Sequence, residues 1–149
     1  MKIYIAGDHG GFELKSYLII ELERLQYKIK DCGAFKYDQD DDYPDIIREG
    51  IEKVAKDKKT RGILCCKSGI GMSIMANRNP KIRAALCFNR DMARKARQHN
   101  NTNVLCLSGD YIKREEALEI VKMFLSIKFE GGRHQRRLKK IDSYKNLTS

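Results

Sequence analysis

Residues 62–73 read GILCCKSGIGMS, an apolar run closed by one serine and two glycines. A short apolar stretch without polar alternation suits a strand buried on both faces of a parallel sheet. Ser68, Gly69 and Gly71 then form a turn that leads into a helix. Outward from this stretch the same unit repeats, with further strand candidates at residues 3–6, 28–31, 83–88 and 103–107. Between them Leu14, Leu18, Leu22 and Leu25 fall on one helical face. Ile47, Ile51, Val54 and Ala55 make a second stripe, with Pro44 placed for a first helical turn. Residues 92–98 and 117–127 read as two more helices, the latter with Ala117, Val121, Phe124 and Leu125 apolar. A mostly polar helix over about 133–147 follows. Strands alternating with helices imply βαβ crossovers and an α/β fold. The expected architecture is a three-layer αβα sandwich around a Rossmann-like, five-stranded parallel sheet. Ligands of such sheets bind beyond the C-terminal ends of the strands, so residues that follow strands are the first candidates for chemistry.

At 149 residues, 42% hydrophobic and 34% charged, the chain is expected to be a single domain over 1–149 with its own core. No run reaches the ~20 apolar residues of a membrane span. The opening MKIYIAGDHGG enters a strand directly, without the segments of a signal peptide. The expected location is cytoplasmic, with no membrane partner. Five cysteines (Cys32, Cys65, Cys66, Cys87 and Cys106), odd in number and without a Cys-x-x-Cys pair, suit free thiols in a reducing compartment. The net charge of +10 is segregated: residues 128–149 hold seven Lys/Arg against Glu130 and Asp142, and residues 38–45 hold five aspartates. Only the basic end resembles a polyanion surface. No aromatic platform or helix-turn-helix signature accompanies it, so no nucleic-acid partner is expected.

Asp8 and His9, within GDHGG at 7–11, place an acid beside an imidazole at the end of the first strand. A Gly-rich turn with a capping side chain reads equally well from these residues alone. After the third strand, backbone N–H groups at a helix start converge on an anion. Cys66, directly before that nest, lies in surroundings that favour a thiolate and hence a base or nucleophile. Cys65, inside the strand, reads as a small packing residue. Neither glycine pattern matches a Walker loop or a full dinucleotide fingerprint, so nucleotide binding is not expected. His99, in RQHNNTN at 97–103, sits at a helix end expected to border the crevice, which suits acid–base work. Arg133 and Arg137, four apart on the last helix, offer paired guanidinium groups for a phosphate.

Together these residues resemble one family. Asp8-His9 with Gly11-Phe12 and Leu14-Lys15, Asp42-Tyr43-Pro44, Cys66-x-Ser68-Gly69-Ile70-Gly71, Arg97-Gln98-His99-Asn100, Thr102-Asn103 and Gly131-Gly132-Arg133-His134 are similar, in kind and order, to type B ribose-5-phosphate isomerases. The similarity runs from Lys2 to about Arg137. The wider family includes galactose-6-phosphate isomerase subunits and an allose-phosphate isomerase. The resemblance implies interconversion of D-ribose 5-phosphate and D-ribulose 5-phosphate through a cis-enediolate, a step of the non-oxidative pentose phosphate pathway, with neither metal nor cofactor. It implies Cys66 as the base, with Ser68 and the backbone of Lys67, Ser68, Gly69, Ile70 and Gly71 steadying the oxyanion. It gives ring opening to His99 with Asp8 nearby, pocket lining to His9, Tyr43 and Asn100, and phosphate binding to Arg133 and Arg137. It also implies a homodimer or tetramer with shared sites, the basic helix packing on a partner subunit. A second subtype has serine at position 66 and glutamate at 72; Cys66 and Met72 place this chain with the cysteine subtype.

Two positions depart from that pattern. Lys67 stands where glycine is usual and adds a cation beside the oxyanion loop. Asp110 stands where a phosphate-touching arginine is usual, and is expected either to turn away or to pair with Arg133, Arg137, Lys113 or Lys67. Two other readings stand beside the pentose isomerase. One is an isomerase of a six-carbon phosphosugar such as allose or galactose 6-phosphate. The other is a non-catalytic member whose basic helix contacts nucleic acid.

Overall fold

Ile3, Ile5, Ile63, Cys65, Leu105 and Leu107 pack to one side of a sheet, and Ala6, Leu64, Cys66, Val104 and Cys106 to the other. Successive strand residues alternate faces, and neither face is polar because helices cover both. The computed structural model describes residues 1–144. Its strands are β1 (Lys2–Gly7), β2 (Lys28–Asp31), β3 (Arg61–Cys66), β4 (Ala84–Leu86) and β5 (Val104–Ser108). Its helices are α1 (Phe12–Arg24), α2 (Tyr43–Lys56), α3 (Ile70–Ala76), α4 (Arg90–Asn100), α5 (Arg114–Ser126) and α6 (Arg133–Ser143). All strands pair in parallel, in the order β2-β1-β3-β5-β4. Helices α1, α4 and α5 cover one face, α2 and α3 the other, which is the expected three-layer arrangement.

Several elements differ from their sequence reading for local reasons. Leu14, Leu18 and Leu22 are buried, but Leu25 is half exposed because α1 ends at Arg24. Strand β4 is shorter than 83–88 because it is an edge strand with β5 as its sole neighbour. Helix α3 has no long apolar stripe; it is seven residues and buries only Met72 and Ala76. Helix α6 starts at Arg133 as expected, whereas its expected continuation over 145–147 lies outside the described residues. It stands on its own chain through buried His134 and Leu138, and Arg133, Arg136 and Arg137 remain exposed.

The chain leaves β1 toward β2 and then returns across β1 to β3, so the C-terminal ends of β1 and β3 flank a topological switch point. The turns beyond these ends are pressed together. A Cβ on Gly11 would lie 2.0 Å from the Cys65 carbonyl oxygen, and one on Gly10 would lie 2.3 Å from Cγ of Lys67. Only glycine permits that approach.

One buried cation ties this corner down. Lys15 is 2% exposed. Its Nζ donates to both carboxylate oxygens of Asp31, at 2.9 and 3.1 Å, and to the Ala34 carbonyl at 2.5 Å. Helix α1 is thereby fastened to the end of β2 and to the loop whose Gly33 and Ala34 exchange backbone hydrogen bonds with Gly7, each 2.8 Å. Asp31→Ala strands the ammonium in the interior and is expected to cost about 3–5 kcal/mol. Lys15→Met removes the buried charge and leaves a carboxylate that is 33% exposed; the expected cost is smaller, about 1–3 kcal/mol. Urea unfolding of both variants measures the order, and a larger loss for Lys15→Met contradicts it.

Candidate active site

The turns after β1 and β3 carry most of the expected site residues. Cys66 ends β3 and is 6% exposed. Gly69 follows in a left-handed conformation, φ 79°, which turns its N–H back to donate to Cys66 Sγ at 3.0 Å. Ile70 N–H donates to Ser68 Oγ at 3.2 Å. Lys67 is exposed and lays its side chain along Gly10. Tyr43, at the start of α2, packs its ring on Gly71, where a Cβ would meet the ring at 2.7 Å. Asp8 is buried and accepts from Gly11 N–H at 3.1 Å. His9 is bonded through Nδ1 to Asp41 at 2.6 Å. The structure thus gathers Asp8, His9, Tyr43, Cys66, Lys67, Ser68, Gly69, Ile70 and Gly71 around the switch-point crevice. Asp41 is the residue that sequence reading missed; the acidic stretch at 38–45 marked the loop, but nothing in it marked a partner for His9.

Burial sets the electrostatics. The Cys66 thiol is pushed above the ordinary cysteine value, first by desolvation and then by the Asp8 carboxylate. The N–H groups of Gly69, Met72 and Ser68 pull the other way. The expectation that the nest would leave a ready thiolate therefore needs correction: the N–H groups act as supposed, but burial outweighs them. Asp8 is also raised, by desolvation above all, and Asp41 adds to it, against Gly11, His9 and Gly10.

His99, Asn100, Arg133 and Arg137 are elsewhere. Helix α4 ends at Asn100 and the chain enters β5 at Val104, which pairs with Gly62 near the start of β3. Residues before a parallel strand lie at its N-terminal edge, so within one chain His99 cannot border the crevice as expected. The imidazole of His99 stacks on that of His134, ring centroids 4.3 Å apart. Glu130 N–H donates to the Gln98 carbonyl at 3.1 Å, which brings the start of α6 to the end of α4. Arg97 holds this end together. It is 4% exposed, donates to the Thr102 and Ile127 carbonyls and to Asn101 Oδ1, and lies over the Phe124 ring. Burial, with Arg61 and Arg83 nearby, brings its guanidinium down to about 10. Arg133 and Arg137 are exposed on α6 beside this second cluster.

Asp110 pairs with none of the four cations considered for it among the described residues; its backbone N–H donates to the Lys67 carbonyl at 3.1 Å. For a metal, His99, Glu130 and His134 bring one ligand atom each within 4.8 Å of one another. Asp8, His9 and Asp41 do so too, but there Nδ1 of His9 is already committed to Asp41.

The family model described as Ribose/Galactose Isomerase matches residues 3–141. A curated relative from Mycoplasma genitalium, named probable ribose-5-phosphate isomerase B, is 43% identical over 148 residues, 99% of this chain and 97% of the relative. The crystal structure of ribose-5-phosphate isomerase B from Mycoplasma genitalium with bound ribulose-5-phosphate superposes with a TM-score of 0.93 at 42% identity, covering 97% of this chain and 96% of that one. The ribose-5-phosphate isomerase B of Clostridium thermocellum gives a TM-score of 0.95 at 40% identity, with 100% of each chain covered.

The position of Cys66 yields a chemical test. Alkylation by iodoacetamide, followed site by site by mass spectrometry, is expected to rise only through alkaline pH. Asp8→Asn should move that rise to lower pH, because it deletes the nearest negative charge. Cys32 and Cys87, pushed up to about 11 and about 12 by burial, should follow later. Complete modification of Cys66 at neutral pH contradicts this account.

Proposed function

The chain belongs to the Ribose/Galactose Isomerase family, and from that premise we propose that it interconverts D-ribose 5-phosphate and D-ribulose 5-phosphate. The reaction moves a carbonyl between carbons 1 and 2 of the opened sugar. The pentose is favoured over a six-carbon sugar because a relative 42% identical holds ribulose-5-phosphate. The nucleic-acid reading has no comparable support.

The observation that carries the mechanism is a buried thiol with a backbone N–H on its sulfur, at the switch point of a parallel sheet. Cys66 as thiolate takes the proton from carbon 2, the electron pair forms the C1–C2 double bond, and charge gathers on O1. The turn of residues 67–71, with the Ser68 hydroxyl and the Lys67 ammonium, is assigned to that oxyanion, which preorganised donors stabilise most in a dry site. Transfer of the O2 hydroxyl proton to O1 moves the charge to O2, and return of the proton from Cys66 to carbon 1 then leaves the carbonyl on carbon 2 and a hydroxyl on carbon 1. A desolvated thiol loses its proton reluctantly, but its thiolate is correspondingly more basic. Protonation of Asp8 removes the negative neighbour that opposes the thiolate, so the two groups titrate as a coupled pair.

Ring opening falls to His99, pocket lining in part to Asn100 and phosphate binding to Arg133 and Arg137, and for these the sheet imposes a condition. They lie at the N-terminal edge, and the crevice lies at the C-terminal edge, roughly 16 Å away along a six-residue strand. A complete site therefore needs a second copy, whose α4 and α6 ends reach the crevice of the first. The protein works as a homodimer or a tetramer of such dimers, with the exposed face of α6 turned to its partner. Free, buried cysteines favour a reducing cytoplasm, and no helix among the described residues is long and apolar enough to cross a membrane.

Cys66→Ala is expected to lower kcat by about 100- to 10,000-fold with the fold intact, and Cys65→Ala to be mild. Mixing inactive Cys66→Ala and His99→Ala proteins under conditions of subunit exchange should restore part of the activity. No recovery despite demonstrated exchange would show sites complete within one chain. Arg137→Ala should raise KM for ribose 5-phosphate roughly 10- to 100-fold through loss of a charge-assisted contact, whereas Asp110→Ala should leave it unchanged or lower it. The reverse pattern in steady-state kinetics would remove the phosphosugar assignment.

A further inference from the structure

His9 makes two hydrogen bonds to one carboxylate oxygen. Its backbone N–H donates to Asp41 Oδ1 at 3.2 Å, and ring Nδ1 lies 2.6 Å from the same atom. Asp41 belongs to the loop between β2 and α2, so the pairing is tertiary and spans 32 residues. Its side chain is 8% exposed, and its other oxygen, Oδ2, is buried with no hydrogen-bond partner among the described residues. A buried carboxylate with half of its acceptor capacity unused is costly unless a counter-charge lies against it. Among the described residues the His9 ring is the one cationic group within 4.0 Å of it. A fold selected for stability alone would do better with an amide or a hydroxyl here.

The other side of the ring points to a use. With Nδ1 committed to Asp41, Nε2 is the atom that His9 has free to offer. His9 also lines, with Gly10, Gly109 and Asp110, a cavity of about 460 Å³ beside the crevice. Building on the isomerase reading of that crevice, we propose that Asp41 is a positioning residue for the reaction: by accepting from Nδ1–H and holding His9 as the imidazolium, it fixes the ring and presents Nε2–H as a donor to the sugar oxygen that gains charge in the enediolate. No bond to the sugar is made or broken by either residue; the contribution is a hydrogen bond that strengthens as the oxyanion develops. Asp41 acts on His9 as a buried acid acts on the imidazole it orients, by fixing the ring and stabilising its charged form; the neutral ring bonded through Nδ1–H has no proton on Nε2 and is no donor there.

The charges around the ring agree. The Asp41 hydrogen bond is the largest influence and lifts His9 above the ordinary histidine value, Asp8 adds to the lift, and burial and Lys67 oppose it. Glu13, Asp110 and Arg114 stand around the same cavity. Because the folded value is raised, the pair stabilises the protein fully below the unfolded histidine value and loses that contribution as pH rises through the folded one. Above it, Asp41 is a buried charge facing a neutral ring.

The test compares the full-length wild type with Asp41→Asn and Asp41→Glu. Asparagine keeps the size and the acceptor oxygen but not the charge. Nitrogen-15 NMR of the His9 ring, without substrate, should show titration at lower pH in Asp41→Asn than in the wild type. With ribose 5-phosphate, kcat of Asp41→Asn should fall about tenfold or more, a fraction of what a positioned acid–base group contributes, with KM little changed. The alkaline limb of its kcat profile should move to lower pH, and Asp41→Glu should recover part of kcat. Thermal stability of Asp41→Asn at alkaline pH should equal or exceed that of the wild type, which a merely structural residue would not allow. An unmoved His9 titration, or a moved titration with an unchanged kcat profile, overturns the proposal. Absence of isomerase activity in the wild type itself sinks the functional reading and takes this proposal with it, a failure recognisable because it precedes any substitution.

Discussion

Every strand of this sheet runs the same way, and that single polarity decides where chemistry can happen. Whatever follows a strand lands at one edge; whatever precedes one lands at the other. Asp8 follows β1 and Cys66 ends β3, so they share the crevice. His99 and Asn100 close the helix before β5, and α6 is docked on that helix through the stacked His99 and His134 rings. No loop movement of ordinary size brings the two groups together across the length of a strand. Two copies can do so, because a second sheet turned against the first sets its N-terminal edge beside the other's C-terminal edge. A closed twofold contact then makes two such sites at once. On this view assembly is a consequence of parallel topology rather than an addition to it.

At the crevice itself, the deciding quantity is dryness. Gly10, Gly11 and Gly109 let three turns touch backbone to backbone, and the close contacts leave Cys66 and Asp8 almost without solvent. Burial raises both groups, which at first sight argues against a base. The same dryness makes the N–H groups of Gly69, Ser68 and Met72 more effective on a negative atom, since they face little competing water. A thiol held high and a nest that favours its anion lie in opposition. That opposition suits a base that must take a proton from carbon and then give it back.

The strands were legible because each is a short apolar run bounded by turn residues, and the contrast between Cys65 and Cys66 followed from position alone. Adjacent residues face opposite sides of the sheet, and only the later one meets the nest. Other features were not legible. Lys15 belongs to the motif that carries the resemblance, but nothing in the sequence gives it a partner, and only the fold places Asp31 and the Ala34 carbonyl on its ammonium. Asp41 is one of five aspartates at 38–45, and nothing local separates it from its neighbours. Arg97 stands next to residues expected to do chemistry, yet its bonds go to the Thr102 and Ile127 carbonyls, so it shapes the helix end. The misplacement of His99 is of another kind. The order of strand and helix already put it at the far edge, and strand polarity, applied consistently, would have shown that.

Lys67 and Asp110 are best understood together. They are neighbours across two turns: the Asp110 N–H and the Ser108 hydroxyl both donate to the Lys67 carbonyl. Where type B isomerases usually pair glycine with arginine, this chain pairs lysine with aspartate. The cation has in effect crossed from the β5 turn to the β3 turn, and an acid has taken its former place. The pair goes from one positive charge to none, so under the isomerase reading the phosphate loses a local partner while the oxyanion nest gains one. Lys67 also lies close enough to His9 to oppose its protonation, which makes the Asp41 carboxylate the natural counterweight. Under the isomerase reading, a chain that moves positive charge toward the reacting carbons has to hold the phosphate from elsewhere, and that reading assigns the task to the exposed Arg133 and Arg137 of a second copy.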